Sequence, residues 1–175
     1  MHSISDIPTI LRVSMAEMRA AFLLGSYVFL AAAQPDPFER MKSLAGEWEA
    51  DLPGFGKMTD SIRLVSNGKA IEETLGTPAD NEVSIYTRDN NRILLTHFCA
   101  MTPDGHVARL ETGPLKGPQE RLTFIFTGAT NLHSSGAAHM RLVVMTLTDR
   151  DHFSEKWTKT ESGKDIVFDL SWVRR

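Results

Sequence analysis

Apolar and polar residues alternate with a period of two along most of the chain after Gly46. Met58, Ile62 and Leu64 alternate with Thr59, Ser61 and Arg63, and Leu122, Phe124 and Phe126 with Arg121, Thr123 and Thr127. That period belongs to strands with one face buried and the other wet. Turn signals break the pattern at short intervals: Pro53-Gly54, Asn67-Gly68, Asp89-Asn90-Asn91, Asp104-Gly105, Asp149-Arg150-Asp151 and Ser162-Gly163. Asn-Gly and Asp-Gly are strong hairpin signals. Between the turns lie about ten strands on this pattern, near 47–52, 57–65, 69–77, 82–88, 92–101, 106–112, 121–127, 139–148, 152–160 and 166–173.

Sequential hairpins without intervening helices predict a meander, and a long meander curls closed to remove its edges. The expected fold is all-β, an antiparallel up-and-down barrel, with a flattened sandwich as the alternative. A short helix precedes it over 36–44, with Asp36 as N-cap, Pro37 at the first helical position and Phe38, Met41 and Leu44 on one face. The longest irregular stretch, Gly128 to Ala138, is long enough to cover a barrel mouth.

Ahead of the helix the pattern changes. Arg12 and Arg19 precede an apolar run from Ala20 to Leu30, then Ala31-Ala32-Ala33 and Gln34-Pro35. This order matches a secretory signal with cleavage after residue 33. The run is short for a membrane span, with a signal anchor as the alternative. Met15 and Met18 offer later starts that give a more usual signal length. The expected organisation is a signal peptide over 1–33 and a barrel over 34–175, in the periplasm or secreted, with no stable membrane insertion after cleavage. The formal net charge of −3 argues against a nucleic-acid partner, which calls for a basic surplus. One cysteine excludes an intrachain disulfide, so in an oxidising compartment Cys99 needs burial or other protection.

That cysteine sits in the most informative strand, Thr96-His97-Phe98-Cys99-Ala100. His97 and Cys99 are two residues apart and share a face with Ile93 and Leu95. Three readings follow: a buried, hydrogen-bonded pair in the core, the polar lining of a ligand cavity, or two ligands of a zinc- or copper-type metal with His139 as a third. A Cys–His nucleophile pair is disfavoured, since no oxyanion-hole signature accompanies it. Arg109, on the parity of Val107, is expected to point inward and hold an anionic head group, with Glu155 or Glu73 as carboxylate neighbours. Asn131 and His133 lie where they could gate a cavity, and Trp48, Trp157 and Trp172 read as core plugs.

Four motifs in order carry a resemblance. Leu44-Ala45-Gly46-Glu47-Trp48-Glu49 resembles the G-x-W opening of lipocalin and calycin barrels. Thr96-His97-Phe98-Cys99 is similar to the T-H-[YF]-C strand of an uncharacterised lipocalin-like family of bacterial proteins. Ala129-Thr130-Asn131-Leu132 with His139-Met140, and Asp151 through Thr158, resemble its later segments. The resemblance spans Leu44 to Arg175 and implies a calycin-like barrel but no activity. Where the family often shows His-x-His, this chain has His139-Met140-Arg141, so a histidine pair is incomplete. The expectation is an exported barrel binding a small, partly apolar molecule in its interior, with His97, Cys99, Arg109, Asn131, His139 and Glu155 as candidate contacts. An enzyme using His97 as base or metal ligand, and a filled structural barrel, are the alternatives. No motif names a cofactor or an oligomeric state.

Overall fold

The computed structural model describes residues 35–77, 80–100, 105–134 and 136–175. The expected secretory segment lies outside the described residues. A short helix, α1 (Pro37–Lys42), precedes ten strands: β1 (Gly46–Leu52), β2 (Gly56–Val65), β3 (Ala70–Thr77), β4 (Asp80–Asp89), β5 (Arg92–Cys99), β6 (His106–Thr112), β7 (Arg121–Ala129), β8 (His139–Leu147), β9 (His152–Glu161) and β10 (Lys164–Arg174). Each strand pairs antiparallel with the next, and β1 pairs with β10 to close a barrel. The up-and-down barrel expected from the alternation is what the chain forms, rather than the sandwich. Tight turns join its hairpins: Ser162 (φ 50°) and Gly163 (φ 75°) are both left-handed between β9 and β10, as a primed two-residue turn needs.

One end of the barrel is plugged. Asp36 caps α1 by accepting from the Phe38 N–H at 2.9 Å and forms an ion pair with Arg88 of β4. Phe38, Met41 and Leu44 are buried in the apolar core that also holds Trp48, Phe153 and Trp172. The Arg40 guanidinium donates to the Leu147 carbonyl at 2.6 Å, tying α1 to β8. Trp48 donates its indole N–H to Leu44 O at 2.9 Å, and the Arg174 guanidinium lies 4.2 Å from the Trp48 ring. A side chain at Gly46 (φ 149°) would strike Arg174, so the glycine of the G-x-W motif allows this close approach.

The other end is looser. β1 and β10 pair only at Trp48↔Arg174 and Glu49↔Val173, near the plugged end. Beyond that short seam the β1–β2 turn carries Phe55 over β10, where its ring meets Phe168 edge-on at 6.1 Å. Phe55 is 64% exposed. At the same rim the Ser162 N–H donates to Gly136 O at 3.0 Å and the Asn131 amide donates to Gly105 O at 3.0 Å.

Candidate functional site

Strand parity decides what the barrel interior contains. β5 turns Ile93, Leu95, His97 and Cys99 inward, and β4 turns Glu82, Ser84 and Tyr86 toward the same space. β2 contributes Asp60 between Met58 and Ile62, β3 contributes Glu73 between Ile71 and Leu75, and β9 contributes Glu155 between Phe153 and Trp157. Among the described residues, the buried charged and polar groups include Asp60, Glu73, His97, His106 and Glu155 but no lysine or arginine. The interior is therefore an acidic well walled by aromatic and aliphatic side chains.

At mid-barrel the acids form a coupled group. Tyr86 donates its hydroxyl to Glu73 Oε2 at 2.8 Å, and Trp172 donates its indole N–H to Glu155 Oε2 at 3.1 Å. The remaining oxygens, Glu73 Oε1 and Glu155 Oε1, find no donor, nor does either oxygen of Asp60. Trp157 also approaches Glu155, with its N–H outside hydrogen-bond geometry. Burial raises the pKa of Glu155 well above the carboxylate range, and the neighbouring Glu73 charge adds to it. Burial raises Glu73 as well, against the opposing pull of Tyr86. Asp60 is raised well above its usual range by burial, then by Glu73 and Glu155. Like charges this close, in a medium of low dielectric, are relieved by keeping protons. A protonated carboxyl also supplies the missing donor between Glu73 and Glu155.

Toward the open end lies a cavity of about 200 Å³, bounded by Leu52, Phe55, Met58, Leu75, Met140 and Trp157, with Phe168, Leu170, Gly76 and Glu82 completing it. An apolar cavity of about 150 Å³ already takes up benzene, so the space suits a small ring or short chain. Among the described residues Glu82 is its one ionisable lining group. Burial opposes ionisation of Glu82, but the facing His97 ring, the Cys99 thiol and the Ala100 N–H hold its pKa below the usual range. His97 lies behind Glu82, fully buried and 4.8 Å from the Trp157 ring centroid. Its Nδ1 is 3.1 Å from Ser84 Oγ, and its Nε2 is 3.5 Å from Glu82 Oε2. Cys99 Sγ is 3.5 Å from Glu82 Oε1. In a cysteine nucleophile triad the carboxylate stands on one imidazole nitrogen and the thiol on the other. Here Ser84 holds one nitrogen while the carboxylate faces both the other nitrogen and the thiol, which is not that order.

Of the six sequence candidates, His97, Cys99 and Glu155 lie in the interior. Arg109 does not. His106, Ala108, Leu110 and Thr112 are the inward residues of β6, and Arg109 is exposed. The register shifts beside it, between Arg109 and Leu110. The extra residue is Thr127 on β7, so alternation along β6 is unbroken, and the face turned inward is that of Ala108 and Leu110 rather than that of Val107. The inward anionic-ligand clamp is thus corrected to an outward surface arginine. Asn131 is exposed with φ 57°, in the turn after β7. His139 is half-buried at the open rim, its Nδ1 2.9 Å from Ala137 O and its ring 4.4 Å from that of Phe126. It stands apart from the close Glu82–His97–Cys99 group. Sequence reasoning missed Asp60, Glu82, Ser84 and Tyr86. Parity with Met58 and Ile62 marks Asp60 as inward, and parity with one another marks the three β4 residues. The chain matches no protein-family model and no curated protein, so its function is read from the site itself.

Proposed function

We propose that the barrel binds one small, largely apolar molecule, neutral or cationic, in the cavity at its open end. The supporting observation is the pairing of an aromatic and aliphatic wall with Glu82, the ionisable lining group among the described residues, whose pKa is held below the usual range. An anionic head group there would meet the Glu82 carboxylate directly, and the lysine at the same end, Lys159, is already paired with Glu161 at 3.3 Å, so a fatty-acid-type ligand is disfavoured. Closed barrels of this size hold single small ligands, and the lipocalin-like resemblance of Leu44–Arg175 accords with the reading. The Arg12–Ala33 pattern supports export, so ligand and barrel meet outside the cytoplasm. No helix among the described residues is long and apolar enough to cross a membrane.

Titration with phenylnaphthylamine, a neutral apolar fluorophore, tests the proposal. Single-site saturation is expected, accompanied by quenching of tryptophan emission through Trp157. The anionic anilinonaphthalene sulfonate should bind about tenfold or more weakly, a difference of ~1.4 kcal/mol. Absence of saturable binding, or preference for the sulfonate, would overturn it.

A further inference from the structure

We propose that Glu82, His97 and Cys99 form a binding site for a zinc-class divalent cation, set in the wall between the cavity and β5. The donor atoms of these three side chains lie within 4.8 Å of one another, and no other described residues form such a group. Zinc binds Cys sulfur at about 2.3 Å, and His nitrogen and carboxylate oxygen at about 2.0–2.2 Å. Ligands at those lengths around a tetrahedral ion stand about 3.3–3.6 Å from each other. His97 Nε2 is 3.5 Å from Glu82 Oε2 and Cys99 Sγ is 3.5 Å from Glu82 Oε1, so each donor stands at ligand spacing from one oxygen of the carboxylate, and a small rotation of that carboxylate would bring one oxygen to both.

The second observation is the state of the imidazole. His97 is fully buried, and its Nε2 has no hydrogen-bond partner although it faces a carboxylate. A buried polar nitrogen in that condition needs a reason, and a cation between nitrogen and carboxylate supplies one. The other ring nitrogen already has the outer contact that metal-bound histidines use, with Ser84 Oγ at 3.1 Å. Glu82 is oriented in turn by the Ala100 N–H at 3.2 Å. On binding, the thiol releases its proton to solvent and the thiolate bonds the metal. The thiolate and the carboxylate together neutralise a dication, so the loaded site buries no net charge. A thiolate with an imidazole selects zinc-class ions over magnesium or calcium. Glu82 also lines the cavity, so the site borders it. His106 pairs with Cys99 across the sheet, but it falls outside the group of mutually close donors.

The site stands independently of the apolar-ligand reading, because it is tested with metal alone. Reduced protein is titrated anaerobically with cobalt(II), whose bond to a thiolate gives a near-ultraviolet charge-transfer band and whose four-coordinate complexes absorb strongly in the visible. The expected result is one equivalent bound with both signatures. Cys99→Ser should lose the charge-transfer band and bind about 100-fold more weakly or worse. Ser84→Ala should keep the band and lose about tenfold in affinity, because Ser84 only positions the imidazole. Should Cys99→Ser fail to give the wild-type circular dichroism, Glu82→Gln is the second variant, expected to weaken binding with the thiol intact. No band in the wild type, a band that survives Cys99→Ser, or a Glu82→Gln variant that binds like the wild type overturns the proposal. Any of these outcomes leaves the phenylnaphthylamine result untouched.

Discussion

Asp60 shows at the scale of one residue how the interior is tuned. Both of its oxygens are buried without a donor, and burial, then Glu73 and Glu155, raise its pKa. The folded protein therefore keeps a proton that the unfolded chain has lost. Its stabilising contribution is complete below the unfolded carboxylate range, about pH 4, and declines as pH rises from there through the raised folded value. His106, lowered by burial and then by the charges of His139 and His97, contributes with the opposite sign around its own range and cancels in a comparison of wild type with an Asp60 variant. Asp60→Asn should thus match the wild type at about pH 4 and exceed it by about 1–3 kcal/mol at about pH 8. Urea unfolding across that range is the check, and a gain independent of pH would contradict it. Legibility in the sequence follows the same lines. Glu155 and Glu73 were found because each sits between two obvious apolar residues. Asp60 sits likewise between Met58 and Ile62 but was passed over, because an aspartate in a strand reads first as surface. Arg109 failed because alternation says which residues share a face, while the neighbours of the whole strand decide which face is inside.

Elements were easier to read than faces. Ten strands appear close to where turn chemistry placed them, and their boundaries moved by only a few residues, as at β7, which continues to Ala129. The plug was legible for the same reason: Asp36, Pro37 and the Phe38–Met41–Leu44 face are local signals. The weak seam was not, since pairing of β1 with β10 joins opposite ends of the chain and leaves no local mark. α1 is one turn and a half, too short to persist alone. It is held by its cap, the Arg88 pair, the Arg40 bond to β8 and its buried apolar face. Asp36→Ala should cost about 1 kcal/mol through the lost cap, with little more from the exposed Arg88 pair. Thermal unfolding measures it. Since α1 lies at the end opposite the cavity, phenylnaphthylamine affinity should stay at its wild-type value, and a large loss of affinity would show that the two ends are coupled.

For the whole molecule, the arrangement divides labour along the barrel axis. The end closed by α1, Trp48, Phe153 and Trp172 is packed solid. The middle carries proton-sharing acids held by Tyr86 and Trp172. The open end carries the cavity, the aromatic flap made by Phe55 and Phe168, and the Glu82–His97–Cys99 wall. The β1–β10 pairing is confined to the plugged end, away from the mouth. The central claim is that the open-end space is a ligand cavity rather than a packing defect. A crystal structure of the protein grown with phenylnaphthylamine tests this most directly. The account predicts the naphthyl ring resting on Trp157 between Met58, Met140 and Phe168, with the barrel interior below it unchanged. A cavity filled by its own side chains, or the probe found only on the outer face, would contradict it.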